Sequence, residues 1–169
     1  NNQTILADKV IISTGGKSYP NTGSDGMMYE ILKKYGHTIN KIYPALIPLT
    51  VKESFIKKLQ GISMRNVEIS CKIKNKKISQ VGDMLFAHFG LTGPAVLKFS
   101  SYVNKYIDEN ELEISLDFLP SITSDEISKL IRENPNKNVI NNIKGLLPQN
   151  FLKEIFNLLD LTDKKANEL

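Results

Sequence analysis

The sequence is poor in the residues that most often carry metal, disulfide or thiol chemistry. Its 169 residues include one cysteine, two histidines and no tryptophan. The single cysteine, Cys71, excludes an internal disulfide framework and a metal site built from clustered cysteines. The two histidines, His37 and His88, are too few for a histidine-rich metal site. We therefore expect neither a bound metal nor a disulfide bond.

Long apolar runs are also missing. No run approaches the roughly 20 residues that a membrane-spanning helix needs. The start of the sequence, Asn1–Thr4, lacks the basic and apolar regions of a secretion signal. We therefore expect a cytoplasmic protein without membrane contact. The composition, 41% hydrophobic and 24% charged, is typical of a folded globular chain.

Common catalytic motifs are absent. The sequence has no Gly-x-Ser-x-Gly elbow, no His-Glu-x-x-His motif and no Walker A loop. The paired carboxylates Asp108-Glu109 and Asp125-Glu126 lie where turns and helix caps usually place them. Cys71 alternates with Ile69 and Ile73, which is typical of a small core side chain rather than a catalytic thiol. No catalytic residue can be named from these patterns.

The net charge of +4 is unevenly distributed. Residues 51–110 carry ten Lys or Arg and five Asp or Glu, a net charge of +5, which residues 111–120 partly offset with −3. A basic segment can attract nucleic acid or an anionic cofactor, although lysines also serve simply to solvate exposed strands. The basic strands of this segment lack the pattern of aromatic residues with which single-stranded nucleic-acid binders usually stack on bases. We therefore expect no nucleic-acid partner, and keep a basic nucleic-acid-binding module as the alternative function.

The first part of the chain predicts half of an α/β unit. Lys9–Ser13 is short, β-branched and apolar, which predicts a buried strand that ends at a glycine turn. The apolar spacing over Met28–Tyr35 predicts a helix with one buried face. Gly36 is expected to close that helix.

The next part, residues 43–120, predicts a small antiparallel sheet or barrel. Alternation over Val67–Ile73 and a return over Lys77–Phe86 predict a hairpin with Asn75-Lys76 at its tip. Pro94 is expected to begin a helix whose buried side includes the following residues: Ala95, Phe99, Tyr102, Val103 and Tyr106. A further strand is expected near Glu111–Phe118.

The last part, residues 121–160, predicts three helices. Thr123–Glu126 fits a capping box, Val139–Ile143 predicts a short second helix, and Pro148 begins a third. The polar tail, residues 161–169, is expected to fray. The expected fold class is α+β, with a β-barrel-like subdomain followed by a three-helix subdomain.

Three segments could bind a polar or anionic ligand through their backbone. Thr14-Gly15-Gly16 follows the predicted strand, and glycines let amides approach phosphate or ribose oxygens. Thr22-Gly23-Ser24-Asp25-Gly26 places a second permissive backbone before the helix. The segment His88–Pro94 precedes another helix, whose first amides can face an anion. Each segment also fits an ordinary tight turn, so spacing alone leaves both interpretations open.

Together these segments resemble the BaiN/YhiN-like NAD(P)/FAD-dependent oxidoreductases. Ala7–Gly26 is similar to the second cofactor-binding stretch of that family. Gly36–Ile39, Tyr43–Leu49 and Met84–Leu97 are similar to further family segments, in the same order. The resemblance extends from Ala7 to Leu97.

The resemblance implies a flavoprotein. Members of the family bind FAD in a Rossmann-like domain whose Gly-x-Gly-x-x-Gly loop holds the pyrophosphate; NAD(P)H is the expected hydride donor. Because this sequence lacks that loop, we expect a central fragment, with a strand-loop-helix remnant of the FAD domain (1–42) and an insert (43–160). Its expected partners are the remainder of the FAD domain and a small-molecule substrate. The isolated chain is expected to be inactive and not to bind FAD.

The resemblance also names site residues, in two groups. The expected cofactor-binding residues are Thr14, Gly15, Gly16, Thr22, Gly23, Ser24 and Gly26. The residues expected to face the flavin or the substrate are His88, Phe89, Gly90, Thr92 and Gly93. The pair Met27-Met28 stands where the family has smaller residues; because methionine adopts positive φ only at a cost, this pair is either helical or shifted. No catalytic acid or base is implied, since the flavin carries the hydride chemistry.

Overall fold

The computed structural model describes residues 4–107 and 111–169. The chain divides into two compact units, of which the first ends at Ile42 and the second begins at Tyr43. The acidic pair Asp108-Glu109 lies outside the described residues. None of the described helices has the length and apolar character needed to cross a bilayer.

The first unit contains helix α1 (Met27–Lys34), as the apolar spacing predicts. Gly36 follows it with φ of 85°. The amide of Gly36 donates to the carbonyl of Lys33, and the amide of His37 donates to that of Leu32. These bonds form a Schellman motif, in which a left-handed glycine satisfies the last helical carbonyls. The predicted helix and its closing glycine are confirmed, but its predicted buried face is not: α1 has no buried residue, and Ile31 and Tyr35 are 37% and 80% exposed.

The prediction of a buried strand at Lys9–Ser13 is wrong for the chain as described. The segment pairs with no other strand in the described residues, and Val10 and Ile11 are 78% and 91% exposed. A strand forms only where a neighbour pairs with its backbone and covers its apolar side chains. The described residues of the first unit supply no such neighbour.

The second unit contains a five-stranded antiparallel sheet with the strand order β1-β4-β3-β2-β5. The strands are β1 (Leu49–Thr50), β2 (Ser63–Ile73), β3 (Lys76–Ala87), β4 (Gly90–Thr92) and β5 (Ser115–Asp117). The long hairpin of β2 and β3 forms because apolar and polar residues alternate along both segments. The antiparallel sheet and its accompanying helices confirm the predicted α+β class.

The hairpin turns one residue earlier than predicted. Ile73 pairs with Lys76, so that Lys74 and Asn75 form the turn, with φ of 46° and 66°. Positive φ at both turn residues is the geometry that follows the right-handed twist of paired strands. Asparagine tolerates this conformation better than lysine does.

Helix α2 (Pro94–Ile107) covers the core side of β2 and β3. It begins at Pro94, as predicted, because proline needs no hydrogen-bond partner for its nitrogen at a first helical position. Its buried side differs in part from the prediction, since Tyr102 is 52% exposed. The buried arc instead extends to Val96 and Ser100, which are fully covered.

Three helices follow, as predicted: α3 (Ser124–Arg132), α4 (Val139–Asn142) and α5 (Gln149–Leu158). The capping box at the start of α3 is confirmed. The amide of Thr123 donates to the carboxylate of Glu126 at 2.8 Å, and the amide of Glu126 donates to the Thr123 hydroxyl at 3.3 Å. The bonds from the Thr123 backbone and side chain hold the pKa of Glu126 below its usual range.

The C-terminal tail packs onto the helices, so the expected fraying is wrong. Ala166 is 6% exposed and lies in a core cluster with Val139. The amide of Ala166 donates to the carbonyl of Lys137 at 3.1 Å, and that of Val139 donates to the carbonyl of Lys164 at 2.9 Å. These are backbone bonds, which the polar composition of the tail does not reveal.

Candidate functional site

The predicted cofactor-binding residues lie in one loop, residues 14–26. The second half of this loop is closed by hydrogen bonds among its own residues. The carbonyl of Tyr19 accepts from the amides of Thr22 and Ser24, and the carbonyl of Pro20 accepts from the amide of Gly23. The Thr22 hydroxyl also donates to the Tyr19 carbonyl, at 3.0 Å. These three amides are therefore used within the loop and do not face a ligand in this conformation.

The first half of the loop is open. The amides of Thr14, Gly15 and Gly16 have no hydrogen-bond partner within the described residues. Gly15 has φ of 77°, and a Cβ added there would lie 2.7 Å from the hydroxyl oxygen of Ser24. A Cβ on Gly16 would lie 3.1 Å from the hydroxyl of Tyr29. Glycine at position 15 is favoured by the positive φ, and the absence of side chains at both positions leaves the amides accessible to an oxygen ligand.

The junction of the loop with α1 is built around Gly26, which has φ of 80°. The Asp25 carboxylate accepts a hydrogen bond from the amide of Met27 at 2.9 Å. Met27 and Met28 are the first residues of α1, so the helical alternative for this pair is the one observed. Because a carboxylate already occupies the first turn, a phosphate at this helix end would meet a like charge.

In the second unit, His88 and Phe89 form the turn between β3 and β4, since Ala87 pairs with Gly90. Their ring centroids lie 4.9 Å apart, with the planes at 85°. His88 is exposed, and Phe89 is 37% exposed. These two side chains are the most open of the group expected to face the flavin or the substrate.

The glycines that follow are explained by close backbone contacts. Gly90 and Thr92 lie in β4, so the expected loop is a strand here, held between β1 and β3. A Cβ on Gly90 would overlap the carbonyl oxygen of Leu49. Gly93 has φ of 102°, and a Cβ there would lie 3.0 Å from the backbone of Asp83. Both positions need glycine whether or not a ligand is bound.

Sequence reasoning missed a groove in the second unit. It has a volume of about 530 Å³ and is lined by residues of three segments: Ser63–Asn66, Phe118–Ile122 and Gly145–Pro148. A β-bulge shapes one side, where Asn66 has φ of 53° and donates its amide to the Asp83 carboxylate at 3.2 Å. The sequence signal for the bulge is Arg65-Asn66, two successive polar residues that break the alternation of apolar and polar residues along β2. The lining is mostly apolar, with Arg65 as its charged side chain.

The described residues contain no group of three or more side chains placed to hold a metal ion. Cys71 is 5% exposed and lies in the core between the sheet and α2. Burial raises the pKa of its thiol, which disfavours the reactive thiolate. Cys71 is a core side chain, as the alternation in β2 predicts.

Cys71 is expected to resist alkylation while the protein is folded. Iodoacetamide should modify it at least about tenfold more slowly in buffer than in concentrated urea, because reaction requires exposure and ionisation of the thiol. Mass spectrometry over a time course measures both rates on the same cysteine. Equal rates in the two solvents would contradict the buried position.

Comparison with known proteins identifies a family for the second unit. The family model described as the HI0933-like protein barrel and H2TH domain matches residues 43–169. A 3-dehydro-bile acid delta(4,6)-reductase of Clostridium scindens is 27% identical over 168 residues, which are 98% of this chain and 41% of that protein.

Two further relatives share one name. The ribosomal RNA dihydrouridine synthase of Escherichia coli is 26% identical over 170 residues, covering 100% of this chain and 41% of that protein. The ribosomal RNA dihydrouridine synthase of Haemophilus influenzae is 31% identical over 162 residues, covering 95% of this chain and 35% of that protein. The chain therefore spans about two fifths of the length of the curated relatives it matches.

Proposed function

The chain belongs to the HI0933-like family, and on that premise we propose that it is the central part of a flavin-dependent oxidoreductase. FAD is the cofactor of the whole protein and NAD(P)H its hydride donor. Residues 1–42 are a segment of the FAD-binding domain, and residues 43–160 are an insert that caps the substrate. The whole protein acts in the cytoplasm on a small-molecule substrate, and the isolated chain is inactive.

One observation carries the proposal: an exposed apolar segment leads directly into unpaired backbone amides. Val10 and Ile11 are largely exposed and Ile12 is half-buried, and Thr14–Gly16 follows them. In a Rossmann-like domain, a strand buried among parallel neighbours ends at a glycine turn that approaches the cofactor. An apolar segment of this kind gains stability when neighbouring strands remove it from water. We therefore assign the remainder of the FAD-binding domain as its partner.

We propose that the loop residues hold part of a flavin nucleotide. Thr14, Gly15 and Gly16 would hold it by donating their amides to phosphate or ribose oxygens. Bound FAD would supply the hydride chemistry, while the protein supplies orientation and electrostatics. The second group, Thr22, Gly23, Ser24 and Gly26, would act by shaping the loop: the amides of Thr22, Gly23 and Ser24 are bonded inside it, and Gly26 adopts φ of 80° where the loop meets α1. His88 and Phe89 are proposed to face the flavin or the substrate.

The names of the relatives support reduction as the reaction and suggest two substrate classes. One relative is named as a reductase of a bile acid, which is a small molecule. Two are named for dihydrouridine in ribosomal RNA; dihydrouridine carries two more hydrogens than uridine, so its formation is a reduction. Ribosomal RNA is therefore a second candidate substrate, and the lysines of residues 51–110 favour it.

Flavin content tests the proposal. The full-length protein is expected to purify with one FAD per chain, and addition of NADH or NADPH without oxygen is expected to bleach the flavin absorbance. The 169-residue chain is expected to be colourless and to bind no added FAD in equilibrium dialysis. A full-length protein that neither retains nor binds FAD would refute the flavoenzyme. Stoichiometric FAD binding by the 169-residue chain would refute the proposal that this chain contains only part of the FAD site.

A further inference from the structure

The β2–β3 hairpin extends past the rest of its sheet. β5 pairs with β2 at Glu68–Ser70, and β4 pairs with β3 at Leu85–Ala87. Within the described residues, the hairpin end Cys71–Ile78 pairs only with itself. This end is therefore a two-stranded ribbon, in which Cys71, Ile73 and Ile78 face the core while the polar residues Lys72 and 74–77 are exposed.

Four lysines lie on this ribbon, namely Lys72, Lys74, Lys76 and Lys77, and we refer to them as the lysine tip. Lys77 forms an ion pair with Glu68 at 2.7 Å, and this bond, with another from Ser79, lowers the pKa of Glu68. The other three are exposed and have no acidic partner among the described residues. The lysine tip thus carries three uncompensated positive charges.

Two features of the lysine tip are unfavourable for the hairpin itself. Lys72 stands directly opposite Lys77 in the register, and like charges at directly opposed positions destabilise a strand pair. Lys74 occupies the first turn position with φ of 46°, where glycine, asparagine or aspartate is favoured. Folding alone does not explain lysine at these positions, whereas binding of a polyanion does.

We infer that the lysine tip is a docking surface for the phosphate backbone of RNA. Lysine supplies a compact point charge on a flexible stem, which suits a row of phosphates that need no fixed geometry. Lys72 and Lys76 stand at register positions on opposite faces of the ribbon, so positive charge is available on both sides. The choice of RNA over another polyanion rests on the proposed function, in which two relatives are named for ribosomal RNA.

The residues around the lysine tip favour RNA over a lipid surface. Ile73 and Ile78, the apolar side chains of the ribbon, pack against the core and are not available for insertion into a bilayer.

The hairpin from Ser63 to Leu85 contains no aromatic residue, so it offers no stacking platform for bases. The lysine tip therefore binds the backbone and positions the protein on RNA without reading sequence.

Salt dependence of RNA binding tests the inference. The full-length protein is titrated against a fluorescein-labelled fragment of ribosomal RNA by anisotropy, at a series of salt concentrations. Each lost phosphate contact changes the slope of log K against log salt by about 0.7 to 0.9. The triple variant Lys72→Gln, Lys74→Gln, Lys76→Gln is expected to have a slope shallower by about 2 and weaker binding at low salt.

A matched control removes the same charge elsewhere. The variant Lys129→Gln, Lys144→Gln, Lys153→Gln changes three exposed lysines of the helical part and is expected to keep the slope of the unmodified protein. The inference would be overturned if both triple variants lost RNA affinity equally, or if the lysine-tip variant kept the salt slope of the unmodified protein. It would also be overturned if the unmodified protein bound no RNA. Binding to phosphatidylserine vesicles but not to RNA would also overturn it.

Flavin content separates this inference from the proposed function. If the full-length protein contains no FAD while the lysine-tip variant still loses RNA binding, the proposed function fails and the docking surface stands. If FAD is bound and the slope is unchanged, the docking surface fails alone. Circular dichroism of both triple variants verifies that each is folded.

Discussion

Replacing Gly90 with alanine is expected to destabilise the sheet strongly. The added Cβ would overlap the carbonyl oxygen of Leu49 and lie 2.8 Å from the amide nitrogen of Val51. Both are backbone atoms of the β1 region, so no side-chain rotation can make room. We expect a loss of about 3 kcal/mol in the free energy of unfolding, the upper end of the cost of overpacking. Urea denaturation followed by circular dichroism measures it.

The control is Gly61→Ala. Gly61 also has positive φ, 84°, but a Cβ there has no atom within 4 Å. Its expected cost is about 1 kcal/mol, the conformational penalty alone. If the two variants lost equal stability, the close approach of β1 to β4 would be refuted.

This comparison also separates two interpretations of the His88–Pro94 segment. If its glycines serve packing, Gly90→Ala lowers stability first, and any flavin is lost with the fold. If they serve a ligand alone, the variant keeps its denaturation midpoint and loses only flavin in the full-length protein. The overlap with Leu49 favours the first outcome.

Features that depend on neighbours in the sequence could be predicted. Gly36 ends α1, Pro94 begins α2 and Thr123 caps α3, and each role involves contacts within about one helical turn. The hairpin was predicted with a one-residue error, because Lys74 adopts a conformation that lysine rarely takes. Local chemistry is therefore sufficient for most element ends in this chain.

Features that depend on distant partners could not be predicted. The need for glycine at position 90 comes from the nearby Leu49 carbonyl. The position of Ala166 depends on a hydrogen bond to the Lys137 carbonyl. Neither pair is close in sequence. The predicted strand at Lys9–Ser13 failed for the same reason, since strand formation requires a neighbour. The candidate site follows this division. Its glycines could be recognised from the sequence. Only the folded loop shows which of its amides are hydrogen-bonded and which are free.

Gly15→Ala in the full-length protein is expected to weaken FAD binding by about tenfold or more. Alanine at a φ of 77° costs roughly 1–2 kcal/mol, and its Cβ would lie 2.7 Å from the Ser24 hydroxyl oxygen. The strained φ and the displaced Ser24 hydroxyl together disfavour the loop conformation that presents the free amides of Thr14–Gly16. A loss of 1.4 kcal/mol in binding corresponds to about a tenfold weaker affinity, which flavin fluorescence titration of the stripped protein measures.

Two further variants identify the cause of that loss. Gly23 also has positive φ, 96°, but a Cβ there meets no atom within 4 Å, and its amide is bonded inside the loop; Gly23→Ala is therefore expected to weaken FAD binding less. Adding Ser24→Gly to Gly15→Ala removes the clashing hydroxyl and should restore part of the affinity. Partial rescue would show that the loop conformation presents the amides to FAD. If Gly15→Ala left the affinity unchanged, Thr14–Gly16 would not be the cofactor contact.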